Sequence, residues 1–245
     1  MATENIKEAL EYAVELAGNE EKIIKAENGK LYYDENVHSL RELDTRPIPP
    51  RLYLNTLDSL VDYLKTDLDQ LGSKRVLVVV ESPKEVVVYE ELDKEANRAK
   101  LVTVESMTPD IHFGRYEETS DFNIMLQSRF VDTDDRAIVL DFASALKIDS
   151  GLEIVDDGIS QTATIKTGVA SLGQAKAPNP VTLRPYRTFA EVEQPASQFI
   201  YRINKAGHMA LFEADGGKWK LDAINNIANY LKSKLEDQVN ITILA

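Results

Sequence analysis

The chain has 245 residues, 43% of them hydrophobic and 28% charged, with a formal net charge of −13 and no cysteine. That length supports a substantial core in one large or two small domains. The lack of cysteine removes disulfides, thiolate metal sites and cysteine nucleophiles, and the acidic balance argues against non-specific binding to DNA or RNA.

No window approaches the run of about 18 apolar residues that spans a membrane. The opening MATENIKEAL has neither the basic nor the apolar region of a secretory signal, so cytoplasmic residence is expected. The charge is unevenly placed. Residues 105–141 carry nine acids against three basic residues, whereas 158–210 carry only Glu191 and Glu193 against six basic residues. In a soluble domain the two segments are expected to neutralise each other within the fold.

Residues 3–17 read as an amphipathic helix, with Thr3 as N-cap, a stripe of Ile6, Leu10, Ala13 and Ala17, and Gly18 to end it. KIIKAENGKLYYDE then places two β-prone runs around Asn28-Gly29, a two-residue hairpin signal. The prolines of DTRPIPPRLY make a stiff connector. The expected division is therefore 1–45, an N-terminal arm or small helix–hairpin subdomain, and 46–245, the main domain.

A second helix is expected from Asn55 or Thr56 to Leu71, burying Leu57, Leu60, Val61, Leu64 and Leu68 and ending at Gly72. KRVLVVVESPKEVVVYEEL, hinged at Ser82-Pro83, and AKLVTVESM together read as a meander, with Val76 to Val80 as an interior strand. Ser120 is placed to cap a helix carrying Phe122, Met125, Leu126 and Phe130. Over 136–146, RAIVLDF fits either a helix beginning in the Asp132, Asp134, Asp135 cluster or a buried strand, and so short a run does not separate them.

SQTATIKTG alternates as a strand, and GVASLGQAKAPNP reads as a flexible loop. Val181 to Phe189 also alternates, with Val181, Leu183, Pro185, Arg187 and Phe189 on one face and Thr182, Arg184, Tyr186 and Thr188 on the other. Pro185 puts this strand at an edge or a bulge. Gln198 to Ile203, a turn at Lys205-Ala206-Gly207 and the run after it complete a three-stranded antiparallel piece. It is expected under a helix with the ladder Trp219, Ala223, Ile227, Leu231 and Leu235, and VNITILA closes the chain as a strand. The fold class is α+β: antiparallel meanders and hairpins with interspersed amphipathic helices, and a C-terminal helix packed on sheet.

Three functional readings compete for these residues. Arg184, Tyr186 and Arg202 on an exposed edge are the residue types that dominate protein interfaces, and an edge strand is a place where another chain adds on. Arg184, Tyr186, Arg187 and Tyr201 are also types that stack on single-stranded nucleic acid, although the net charge opposes that partner. The third reading is metal-dependent hydrolysis by Asp110 and His112 of PDIHF with nearby acids. Separately, the i, i+2 carboxylate pairs Glu191/Glu193 and Glu213/Asp215 could serve hydrolysis if their pKa values split. One Asp-x-His falls short of a ligand set. ADGGKWK opens a helix after two glycines, an arrangement that attracts anions, but it lacks the pattern of a nucleotide site. No G-x-S-x-G, Walker, G-x-G-x-x-G or H-E-x-x-H motif occurs. The residues therefore assign no catalytic position, metal ligand or cofactor.

SDFNIMLQSRFVDTDDRAIVLDFASALK, DDGISQTATIKTGVA, LRPYRTFAEVEQPASQFIYRI and ALFEADGGKW, in this order, resemble the YfdQ-like proteins of tailed phages and prophages. The resemblance spans roughly residues 50 to 236, and its most specific parts are Arg184 to Phe189, Glu191 to Pro195 and Ala210 to Trp219. It implies a phage-encoded protein of the host bacterial cytoplasm. The family has no established activity, cofactor or catalytic residue, so it transfers none. The expectation is a non-enzymatic accessory protein that self-assembles, as a ring or shell through head-to-tail contact of its charge patches, or binds another phage or host protein.

Overall fold

The structure, a computed structural model, describes residues 23–26, 29, 31–34, 40–42, 50–93, 96–146, 154–158, 161–166 and 172–245. The chain divides into two compact units, Met1–Pro49 and Pro50–Ala245, so the break falls inside the proline run. In the first unit β1 (Ile23–Lys25), β2 (Leu31–Asp34) and β3 (Leu40–Glu42) form an antiparallel meander. Gly29 makes the hairpin turn at φ +81°, its N–H donating to the Ala26 carbonyl at 2.9 Å. That left-handed conformation is one glycine adopts without steric cost. The helix expected over 3–17 lies outside the described residues.

The second unit contains a five-stranded sheet in the order β14-β5-β6-β7-β4, where β4 is Leu52–Leu54, β5 Val76–Ser82, β6 Glu85–Glu90, β7 Lys100–Glu105 and β14 Ile241–Leu244. The antiparallel meander β5-β6-β7 is the one the valine runs announce, while β4 and β14 join it in parallel at the two edges. Alternation buries Val76, Val78, Val80, Val86, Val88, Val102 and Val104 in one aliphatic core with α1 (Leu57–Thr66) and α4 (Lys218–Lys234).

In α1, Thr56 is the N-cap and its hydroxyl accepts from the Ser59 N–H at 3.1 Å. The helix stops a turn before the expected Leu71, because Asp67 turns left-handed (φ 49°) and its carboxylate accepts the Gly72 N–H at 2.6 Å. Leu68, expected on the buried face, is therefore 74% exposed. In α4, Ala223, Ile227, Leu231 and Leu235 are buried as the ladder requires. Trp219 corrects that pattern: it is half-buried, and its ring stacks on the Arg187 guanidinium at 3.8 Å.

A second core lies between a three-stranded antiparallel sheet and two further helices. The sheet is β11 (Val181–Leu183), β12 (Ser197–Ile203) and β13 (Met209–Glu213), in that order, and the helices are α2 (Thr119–Arg129) and α3 (Asp134–Ala145). Phe199, Tyr201, Ile203, Met209 and Leu211 on the sheet meet Phe122, Leu126, Phe130, Val139 and Phe142. The three-stranded piece thus packs under α2 and α3, and the expectation that it lies under α4 is corrected. The stripe Ala223, Ile227, Leu231 on α4 is already committed to the valine sheet.

The ambiguous run 136–146 is helical through Ala145, with Leu146 the extended C-cap. Thr133 caps it, accepting the Arg136 N–H at 3.2 Å, and the acidic first turn suits the helix dipole. Ser120 does not cap α2; it sits within the first turn, and Glu118 is the N-cap. The stretch expected to be a flexible loop contains β10 (Leu172–Lys176), paired antiparallel to β9 (Gln161–Lys166), which also pairs with β8 (Ile154–Asp156). Backbone pairing with a good β-former such as β9 compensates for the weak propensity of β10. Among the described residues no helix is long and apolar enough to cross a membrane.

Candidate functional site

The stretch from Val181 to Ser197 links the two cores. Its strand ends at Leu183, yet the alternation of burial continues as far as Arg187, after which Thr188 and Phe189 are both buried. Val181 and Leu183 enter the aromatic-rich core, whereas Phe189 and Val192 enter the aliphatic one. The α2–α3 connector covers the outer edge of β11. The Val131 N–H donates to the Arg184 carbonyl, the Tyr186 N–H donates to the Arg129 carbonyl, both at 2.9 Å, and the Thr182 N–H donates to Asp135 Oδ2 at 2.7 Å. Residues 114–117 pair in the same way with β13. This edge therefore does not offer its backbone to another chain, which corrects the edge-addition reading at this position.

Between the cores the chain is pinned by side chains. Gln194 is buried; its Oε1 accepts from the N–H groups of Arg187 and Thr188 at 3.0 and 3.2 Å, and its Nε2 donates to the carbonyls of Phe189 and Val192. Glu191 accepts from the Leu57 N–H at 2.6 Å, at the start of α1, where the helix dipole favours an anion. Thr188 donates to the Pro83 carbonyl at 2.5 Å, tying the segment to the β5–β6 turn.

Arg187 sits beneath this loop, 5% exposed. Its guanidinium donates to Glu213 Oε1 at 2.7 Å and to the Ser197 hydroxyl, and stacks on Trp219. The Ser197 hydroxyl donates in turn to Asp215 Oδ2 at 2.5 Å, and Asp215 accepts from the N–H groups of Gly217 and Trp219 at 3.0 and 3.3 Å. Burial pulls the Arg187 pKa down to about 10, against the opposing charges of Glu213 and Asp215. Burial opposes ionisation of Asp215 too, but the Ser197 hydrogen bond, the two N–H groups and Arg187 together hold its pKa below the ordinary aspartate value. The anion-attracting helix start of ADGGKWK is thus served by the chain's own Asp215. Three of the four carboxylates of the i, i+2 pairs bind a helix start or Arg187; the fourth, Glu193, pairs with Arg184 at 2.5 Å.

The three interface candidates occupy different places. Arg184 is on the surface with Glu193, and Tyr186 is 39% exposed. Arg202 is largely enclosed, donating to the Gly158 carbonyl at 3.0 Å and facing Asp156 at 3.9 Å. Leu183 pairs with Ser197 at the start of β12, and Arg202 lies five residues further on. That separation is roughly 17 Å along the strand, so Arg202 shares no patch with the other two. The arginines of the basic segment pair with Glu193, Glu213 and Asp156, none of which belongs to the acidic segment 105–141. Among the described residues, mutual neutralisation of the two segments by ion pairs is therefore not the arrangement found.

Tyr186 instead lines a groove of about 530 Å³ with Met107, Thr188, Ala190 and Gln194. Met107 is 76% exposed. Sequence reading passed over it as the tail of a strand; the available signal was an unbranched apolar residue directly before Thr108-Pro109. For nucleic acid, Arg187 and Tyr201 offer no surface to a base, since Tyr201 is 0% exposed. Asp110 and His112 approach to 3.4 Å on the surface, and among the described residues no group of three or more His, Asp or Glu side chains gathers to hold a metal ion. Comparison with protein-family models, with curated proteins and with solved structures finds no match to this chain.

Proposed function

We propose that this is a non-enzymatic, phage-encoded accessory protein of the host bacterial cytoplasm that self-assembles or binds another protein through the surface around Tyr186. The observation that carries the reading is the Tyr186–Met107 groove. Two exposed side chains of interface-enriched types flank a floor held rigid by the four hydrogen bonds of Gln194. A docking residue on a pre-organised floor loses little conformational freedom on binding. The phage assignment rests on the family resemblance alone.

Self-association has support of its own. β4 and β14, the edges of the five-stranded sheet, run in the same direction. Among the described residues neither pairs with a further strand on its outer side. Leu52 and Tyr53 on β4 are exposed. A β4 edge meeting the β14 edge of the next copy is a heterologous contact, which builds a ring if it closes and a filament if it does not.

Sedimentation velocity of the purified chain tests both surfaces. The expected result is a discrete assembly that loses mass in Tyr186→Ala/Met107→Ala or in Tyr53→Lys, with the melting temperature unchanged. A monomer at every concentration would remove the self-assembly reading. Insensitivity of assembly to the Tyr186 and Met107 changes would remove this groove from it.

A further inference from the structure

The outer face of β12 and β13, away from the aromatic core, forms the floor of a second cavity that no step above uses. Its volume is about 610 Å³, within the range of small-molecule sites. Ile200, Arg202 and Phe212 rise from the floor, Ile154 and Gln161 of β8 and β9 form one wall, and Tyr116 packs edge-on to Phe212 with ring centroids 6.1 Å apart. The charge here departs from the rest of the molecule. In a chain of net charge −13, this lining carries Arg202 and Lys205 against Asp156 alone.

Asp156 is also heavily engaged. It accepts the Gly158 N–H at 2.8 Å and Gln161 Nε2 at 2.9 Å, and these bonds, more than the nearby Arg202, hold its carboxyl below the usual range. Gln161 is itself fixed, exchanging hydrogen bonds with both backbone groups of Ile203. Asp156 is thus committed within the floor, while Arg202 donates to the Gly158 carbonyl and its Nη1, among the described residues, has no hydrogen-bond partner. Lys205 makes no ion pair with any described residue and leaves one uncompensated positive charge beside an aromatic wall.

We infer that this cavity is a binding site for a small organic anion with a flat apolar body, such as an aromatic carboxylate, its ring against Phe212, Tyr116 and Ile200 and its charge toward Lys205. Flat rings gain by edge-to-face and stacking contacts with this pair, and the ammonium favours an anion over a neutral analogue of equal shape. The inference is independent of docking at Tyr186, which lines the other groove.

Isothermal titration with naphthoate and with the neutral naphthalenemethanol tests it. Naphthoate is expected to bind saturably at one site per chain. Lys205→Glu, on an exposed turn, is expected to weaken naphthoate by at least about fivefold while leaving naphthalenemethanol unchanged. Ile200→Trp, which fills the floor, is expected to abolish binding of both, with thermal melting confirming that each variant folds. No saturable naphthoate binding, equal affinity in Lys205→Glu, or binding that survives Ile200→Trp would each overturn the assignment.

Discussion

The two cores of the 50–245 unit are made from different side chains. Around the five-stranded sheet the buried residues are valine, leucine, isoleucine and alanine, with Phe189 the one aromatic among its fully buried members. Between the three-stranded sheet and α2 and α3, Phe122, Phe130, Phe142, Phe199 and Tyr201 cross at ring separations of 5.6–6.4 Å. An aliphatic core built on long β-strands depends on many small, repeated contacts. An aromatic core built on short elements concentrates its burial in a few large groups, so one substitution removes more of it. It also has to place a polar handle: the Tyr201 hydroxyl is enclosed without a hydrogen-bond partner, and burial pushes its ionisation up. The pinned segment from Arg184 to Ser197, which feeds both cores, takes its strength from polar contacts.

The largest effect should come from the aromatic core. Phe199→Ala is expected to destabilise by about 3–5 kcal/mol in chemical denaturation. If the two cores unfold as one unit, the transition stays single; a second transition would show that the pinned segment does not couple them. Next comes the segment itself. Arg187→Ala strips the partner from Glu213 and the cover from Trp219. It should cost about 3 kcal/mol, whereas Arg187→Met, which keeps the stem, should cost less. Equal losses would mean that the charge and its hydrogen bonds, not the packing of the stem, are what Arg187 supplies.

The same network has an acid limb. Because the Asp215 pKa is lowered in the folded state, its contribution is complete above the unfolded value near 3.8 and is lost as pH falls through the folded value. Asp215→Asn should therefore flatten the fall in melting temperature in the window below that value, and an unchanged acid limb would contradict the network. Smaller again is Tyr201→Phe, expected to leave stability unchanged or raise it by up to about 1 kcal/mol, since it removes an unsatisfied hydroxyl. A loss of stability there would reveal a partner for that oxygen. Smallest is Arg184→Ala. Its pair with Glu193 lies on the surface, so stability should change by no more than about 0.5–1 kcal/mol.

Much of the α+β architecture was legible in the residues alone. The valine meander β5-β6-β7, the Ala223-Ile227-Leu231 face of α4 and the closing strand β14 follow from periodicity, because a repeat of 2 or about 3.6 directly encodes which side chains share a face. The burial of Arg187 beside Phe189 was also implied by alternation, although its partners were not. Tertiary structure alone decided that β11–β13 pair with α2 and α3, and that the α2–α3 connector closes the β11 edge. It also decided that β10 is a strand, that Trp219 stacks on Arg187, and that Met107 joins Tyr186 in one groove. Apart from the β9–β10 hairpin, each is a contact between residues far apart in the chain. Local propensity and period carry no information about which apolar face meets which, and that choice is made by the shapes and charges that come together once the chain has folded.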